Sequence, residues 1–141
     1  MEIIREPLAA PGRSVIEVML PVDRHTISKL RWRGVAEDGK EFGFDLSEPI
    51  HDNEAFFYLD GTTYIIAQQP EAVLEIAVPP ARADAARIGW LVGNLHFSIE
   101  VTTDVIRVAD DSALRQMLLR EDIAFEEVSR VFHPFRHAHV H

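Results

Sequence analysis

Hydrophobic and polar residues alternate along the first half of the chain with a period of two, which is typical of strands half-buried on a core. The pattern predicts strands over residues 14–20, 30–35 and 41–46. Asp38-Gly39 predicts a hairpin between the last two, because glycine supplies the positive φ that a tight turn requires. Asp60-Gly61 predicts a second hairpin, between strands at 55–58 and 63–67. Five or six short strands at this spacing favour a small antiparallel sandwich or barrel.

The apolar spacing changes after Pro70. Residues 73–78 predict a strand, which Pro79 and Pro80 end because proline cannot donate to a ladder. Helical spacing begins at Arg82 and continues to about residue 95, and strands follow over 97–101 and 104–109. A second helix is predicted from an N-cap at Asp111 or Ser112, and a last strand over 123–128. The order β-α-β-β-α-β is that of the split βαβ, ferredoxin-like folds.

These patterns predict an α+β protein in three parts. Residues 1–72 form an all-β sandwich or barrel, and residues 73–132 form a ferredoxin-like domain. Residues 133–141 form a flexible histidine-rich tail, since they are too short and too polar to build an element of their own.

Charge and composition exclude several classes of partner. The 141 residues include 14 Lys and Arg against 23 Asp and Glu, and a net charge of -9 repels phosphate backbones and anionic lipid. We therefore expect neither nucleic acid nor membrane as a partner. Cysteine is absent, so thiolate chemistry and Cys-based metal sites are excluded. Acidic residues at the N-terminus and the lack of a long apolar run predict a cytoplasmic protein.

Histidine is concentrated at the C-terminus, where four of the seven histidines fall within the last nine residues. They are His133, His137, His139 and His141, and the last three alternate with apolar residues. An extended segment presents such alternating side chains on one side. Imidazole without thiolate suits divalent Ni, Cu, Zn or Fe, so the tail is a candidate metal ligand. The alternatives are a purification tag or a solvated chain end.

His96 is the second candidate ligand. It follows the first predicted helix of the second domain, in Gly93-Asn94-Leu95-His96, and Gly93 or Asn94 is expected to take the left-handed backbone that ends the helix. A lone histidine is more often a cap or core residue than a ligand. It becomes part of a site only if the tail, or a symmetry-related copy across a two-fold axis, supplies further donors.

Other polar residues have simpler explanations. His25 and His51 are interpreted as surface histidines, and Asp110-Asp111 as a helix cap rather than a carboxylate metal site. No phosphate-binding loop, nucleophile elbow or metalloprotease motif is present, so no catalytic residue is predicted and the protein is not expected to be an enzyme.

The segment ending in Gly93-Asn94-Leu95-His96 resembles the UreE family of urease accessory proteins, whose signature is a helix that ends in a Gly-Asn-x-His turn. The resemblance extends to the hairpin at residues 30–43, to the interdomain segment 70–75, to the helix at 114–118 and to the histidine-bearing C-terminus. It covers the chain from about residue 15 to residue 141.

This resemblance implies a nickel metallochaperone that is a homodimer, with His96 of both copies holding one Ni(II). It implies that residues 1–72 are a protein-interaction domain and that residues 73–132 are the domain for metal binding and dimerisation. It implies that His137, His139 and His141, and less directly His133, complete the ligand shell. The implied partners are the urease maturation proteins, including a nickel-dependent GTPase, and apo-urease. Asp110 and Ser112 stand where some members have further histidines, and Leu95 stands where many have a basic residue. The tail is also shorter than in some members, which favours delivery over storage.

Three alternatives stay open at this stage. The donors also accept Zn(II) or Cu(II), so the protein can be a carrier of another divalent metal. It can be an interaction scaffold that binds no metal. A metal-dependent hydrolase is the third alternative, but such an enzyme needs a general base near the metal, and the sequence offers no candidate.

Overall fold

The computed structural model describes residues 1–9 and 16–135. The chain divides into two compact units, Met1–Gln69 and Pro70–His141, here called the N-terminal and C-terminal units. The division lies three residues before the predicted boundary at 72/73. In the described residues the protein is a mixed α+β structure, mostly strands with three helices, and none of those helices has the length and hydrophobicity to cross a membrane.

The elements described in the N-terminal unit are β1 (Glu2–Ile4), β2 (Ile16–Val22), α1 (Arg24–Ile27), β3 (Arg31–Val35), β4 (Glu41–Asp45), β5 (Ala55–Leu59) and β6 (Thr62–Gln68). The strands form two three-stranded sheets, ordered β1-β4-β3 and β2-β6-β5. Both predicted hairpins are present: β3 pairs antiparallel with β4, and β5 with β6. Gly39 has φ 91°, and Asp60 and Gly61 have φ 48° and 80°.

The expectation that this unit is purely antiparallel is wrong. Strand β1 runs parallel to β4, with Ile3 opposite Gly43, and β2 runs parallel to β6, with Leu20 opposite Ile66. A parallel pair needs a long crossover connection rather than a tight turn. Turn residues in the sequence indicate which consecutive strands pair, but they carry no information about pairs so far apart.

Aromatic residues from both sheets form one core. Trp32 stacks on Phe44 with ring centroids 3.9 Å apart, and Phe42 meets Phe56 edge to face at 5.0 Å. Offset-stacked and edge-to-face rings are the favoured arrangements of buried aromatics. The alternation in β4 therefore buries Phe42 and Phe44, as predicted, and turns Glu41, Gly43 and Asp45 to the other face of the sheet.

The C-terminal unit has the predicted element order β-α-β-β-α-β. The described elements are β7 (Glu71–Ala77), α2 (Arg82–Asn94), β8 (Ile99–Val101), β9 (Val105–Ala109), α3 (Ser112–Arg120) and β10 (Glu126–Arg130). The sheet is ordered β10-β7-β9-β8 and every neighbouring pair is antiparallel. The sheet residues Leu74, Ile76 and Val108 share one cluster with Val92 and Leu118 of the helices.

The last strand begins later than predicted, at Glu126 rather than at residue 123. Helix α3 ends in a turn at Asp122, which has φ 57°, and the N–H of Ile123 donates to the carbonyl of Leu118 at 2.8 Å. Ile123 and Phe125 then pack against the helix-sheet core. Their hydrophobicity thus reflects loop packing rather than a strand.

Two adjacent leucines of α3 test this packing. Leu118 is 0% exposed and Leu119 is 69% exposed. We expect Leu118→Ala to lower the free energy of unfolding by about 2–5 kcal/mol, because it leaves a cavity, and Leu119→Ala to change it by less than about 0.5 kcal/mol. Urea unfolding followed by circular dichroism measures both. Equal losses in the two variants would contradict the packing of α3.

Candidate metal centre

Helix α2 delivers His96 to the surface of the C-terminal unit. Ile88 and Val92 are buried and hold the helix against the sheet. The chain leaves the helix at Leu95, whose N–H donates to the carbonyl of Val92 at 3.1 Å, while the N–H of His96 donates to the carbonyl of Gly93 at 3.0 Å. These bonds satisfy carbonyls in the last turn, which would otherwise lack partners.

The left-handed residue at this helix end is His96 itself, with φ 64°. The prediction that Gly93 or Asn94 would take this conformation is wrong, because both lie within the helix. A left-handed backbone costs a residue with a Cβ roughly 1–2 kcal/mol, although histidine is among the residues found there more often. The His96 side chain is exposed, whereas the next residue, Phe97, packs against the core. The residue that carries this conformational cost is therefore the one whose imidazole is exposed to solvent.

The end of α2 and the turn after it expose several glycine and apolar residues near His96 in the sequence. We call this set the His96 surface, and it consists of Gly89, Trp90, Gly93, Leu95 and His96, with Asn94 as a polar neighbour. Trp90 is 65% exposed and Leu95 39% exposed. A Cβ added to either glycine would meet no heavy atom within 4 Å, so the helix is bare at both. An indole this exposed beside an accessible helix face is a feature of contact surfaces.

Sequence patterning did not single out this surface, although a signal was present. Ile88 and Val92 belong to the apolar stripe of α2, and Trp90 lies two residues from each, about 200° around the helix. A large aromatic residue on the face opposite the buried stripe is unexpected for a helix that only covers a sheet.

The described residues of one chain do not form a complete metal site. Over residues 1–9 and 16–135, no three His, Asp or Glu side chains lie close enough together to hold a metal ion. His25 and His51 are exposed in the N-terminal unit, as predicted for surface histidines. His137, His139 and His141 lie outside the described residues. Their predicted role as ligands stays a prediction.

The chain after β10 returns to the edge strand β8. The N–H of His133 donates to Oε1 of Glu100 at 3.1 Å, and the N–H of Phe135 donates to the carbonyl of Ile99 at 2.8 Å. Phe132 is buried and the His133 side chain is exposed. Strand β8 starts three residues after His96, so the start of the histidine tail lies beside the segment that carries His96.

A charge network fixes this return point. Arg107 donates to Glu75 at 2.7 Å and to Glu100 at 3.2 Å across the sheet. Burial by itself would lower the pKa of Arg107, but the hydrogen bonds to both carboxylates outweigh burial and raise it. Glu100 is therefore held by a permanent cation while it accepts the N–H of His133.

The acidic pair at 110–111 serves the fold. Asp111 is the N-cap of α3 and accepts the N–H of Ala113 at 2.8 Å. Asp110 receives two hydrogen bonds from Arg115, at 2.6 and 2.7 Å, which lower the pKa of its carboxyl group. The interpretation of this pair as a cap rather than a metal site agrees with these contacts.

Substitutions at His96 and Leu95 test the backbone conformation. Because glycine adopts a left-handed backbone without the Cβ penalty, we expect His96→Gly to be more stable than His96→Ala by about 1 kcal/mol. Leu95 has φ -86°, so there the order reverses and Leu95→Ala is the more stable variant. Thermal unfolding of the four variants measures both differences. The same order at both positions would contradict a left-handed His96.

Comparison of the sequence with known proteins indicates one family. The model of the C-terminal domain of the UreE urease accessory proteins matches residues 71–141, which include His96 and the histidine tail. The chain is also similar over nearly its whole length to proteins named urease accessory protein UreE. The one from Rhizobium rhizogenes is 32% identical over 94% of this chain and 81% of the relative.

Two further relatives of the same name give a similar result. The protein from Azorhizobium caulinodans is 30% identical, covering 98% of this chain and 66% of its own length. That from Pseudomonas fluorescens is 27% identical, covering 95% of this chain and 81% of its own length. With the family model matching half of the chain, and a relative above 30% identity covered over most of its length, the chain belongs to the UreE family of urease accessory proteins.

Proposed function

We propose that this protein is a nickel metallochaperone for urease maturation. In this proposal His96 from each chain of a homodimer binds one Ni(II), and the ion is then delivered for assembly of the urease metallocentre. The observation that carries the proposal is the exposed imidazole on a left-handed residue at the end of α2, in a member of the UreE family.

The homodimer follows from the number of donors that a metal ion needs. One imidazole does not make a site, and a two-fold contact through the His96 surface would supply a second one from the symmetry-related chain. The exposed Trp90 supports such a contact, because a large exposed apolar side chain is typical of contact surfaces. The bare backbone at Gly89 and Gly93 leaves room beside it for a second chain to approach.

The tail supplies the remaining donors in this proposal. The backbone of Phe135 is hydrogen-bonded to that of Ile99. Beyond this point, a fully extended chain spans at most about 3.6 Å per residue. His137 is two residues beyond Phe135, and His96 is three residues before Ile99. These spans allow His137, His139 and His141 to reach the ion, and His133 is a further candidate because its side chain is exposed beside β8.

A site of this kind suits a carrier. Tail imidazoles can leave the ion one at a time while the paired His96 residues keep it, so each exchange with a recipient is a small step. A carrier needs no general base, which agrees with assigning no enzymatic activity. The recipients we propose are the urease maturation proteins, including a nickel-dependent GTPase, and apo-urease, all in the cytoplasm, with the N-terminal unit as the protein-binding part.

The choice of nickel depends on the family. Imidazole nitrogens also suit Zn(II) and Cu(II), and the Irving–Williams order places Cu(II) above Ni(II) for most nitrogen sites. Binding of Zn(II) or Cu(II) in vitro is therefore expected, and selection for nickel is proposed to come from geometry and metal supply.

Nickel titration of the untagged protein by calorimetry tests the central ligand. We expect His96→Ala to weaken the tightest site by about 100-fold or more, because removal of a ligand costs at least as much as loss of the residues that orient one. His25→Ala is the matched control, since His25 is exposed in the N-terminal unit and should leave binding unchanged. Unchanged nickel binding in His96→Ala would refute the assignment.

The same titration separates the tail from the centre. Replacing His137, His139 and His141 together by alanine should reduce affinity or stoichiometry while leaving the site at His96 in place. If this variant bound no nickel while His96→Ala bound it fully, the tail alone would be the nickel site, which would contradict the proposal.

A further inference from the structure

The outer face of the β1-β4-β3 sheet carries an uncovered apolar strip beside a row of arginines. Ile3, Gly43 and Arg33 are opposite one another in register across the three strands. Together with Met1, Arg5, Arg31 and Asp45, they line a depression of about 490 Å³, here called the Arg33 face. None of these residues belongs to the metal centre described above.

The floor of the Arg33 face is apolar. Met1 is 64% exposed and Ile3 is 48% exposed, although both are large hydrophobic residues. A Cβ added to Gly43 would lie 2.9 Å from Cδ1 of Ile3 and 3.2 Å from Cε of Met1, so these side chains rest over the bare backbone of Gly43. Glycine at this position lets two hydrophobic side chains lie flat on a central strand instead of standing away from it.

The rim of the Arg33 face is positively charged. Arg5 and Arg31 both donate hydrogen bonds to Asp45, at 3.0 and 3.1 Å. Both lower the pKa of the Asp45 carboxyl group, and Arg31 has the larger effect. Arg33 forms no ion pair with any described residue. Three guanidinium groups and only one carboxylate thus line the depression, on a chain whose net charge is -9.

The spacing of the arginines indicates the shape of an occupant. Arg31 and Arg33 lie two residues apart on one strand and point to the same face, which places them about 6.6–6.8 Å apart along the strand. Carboxylates at alternate positions of an extended segment have the same repeat. Guanidinium groups bind carboxylates with paired hydrogen bonds, and the apolar floor accommodates the hydrophobic side chains of such a segment.

We propose that the Arg33 face docks an extended acidic segment of a partner protein, with its carboxylates on Arg31 and Arg33 and a hydrophobic side chain on Ile3. This inference deepens the proposed function and rests on it, since a metal carrier must dock on its recipient. A nucleic acid fits less well, because the floor is apolar and the rest of the chain repels a polyanion.

A synthetic peptide tests the proposal on the full-length protein. The probe is a seven-residue peptide in which aspartate or glutamate alternates with leucine, titrated into ¹⁵N-labelled protein. We expect amide shifts concentrated in β1, β3 and β4, and weaker binding as salt is raised. Arg33→Glu should weaken binding by about tenfold or more, whereas Lys29→Glu, the same charge change at an exposed residue outside the face, should not.

Three results would overturn the proposal: shifts that map elsewhere, equal binding by Arg33→Glu and the unaltered protein, or equal binding of a peptide with lysine in place of its acidic residues. Nickel titration of the same samples keeps the two claims separate. Loss of peptide binding with nickel binding retained refutes only the docking face. Retained peptide binding in a protein that takes up no nickel refutes only the metal centre.

Discussion

The exposure of the His96 imidazole depends on how α2 ends. Burial of Ile88 and Val92 fixes the helix on the sheet, and the turn that follows places His96 in a left-handed conformation with an exposed side chain. A residue with a Cβ is held there at a cost, and glycine would relieve it. A strained residue that is also exposed and chemically able to bind a metal is the pattern expected where function outweighs stability.

Most of the architecture could be predicted because it is encoded locally. Asp38-Gly39 and Asp60-Gly61 marked both hairpins, and the change from a period of two to helical spacing at Arg82 marked α2 of the βαββαβ unit. The parallel pairing of β1 with β4 could not be predicted, since it joins segments about forty residues apart that no single turn connects. The residue that adopts the left-handed backbone was missed for a different reason. Propensity favours glycine or asparagine, whereas the helix continues through Gly93 and Asn94, and the chain turns at His96 before Phe97 packs against the core.

The candidate site was accessible from sequence only in part. His96 and the histidine tail were recognised from their residue types and from a family resemblance, and the comparisons confirm the family. The return of the chain to β8, through Glu100 and Ile99, depends on the order of strands in the sheet, because only that order makes β8 a free edge. The arginines of β3 looked like the polar face of a half-buried strand. Their grouping with Arg5 and with the hydrophobic residues of β1 required the parallel β1–β4 pair.

The two units thus offer different surface chemistry. The C-terminal unit presents an imidazole within an apolar surface, which suits a shared metal ion, and the N-terminal unit presents guanidinium groups around an apolar floor, which suits an acidic polypeptide. In the proposed function the metal site and the docking face belong to different units, so that recognition of a recipient does not occupy a metal ligand.

The central claim is that imidazoles from two chains share one ion. Anomalous diffraction at the nickel absorption edge, from crystals grown with Ni(II), measures this directly. The account predicts one nickel peak on a two-fold axis, bound by His96 of both chains. Nickel bound elsewhere, with the two His96 rings apart and without metal, would contradict it.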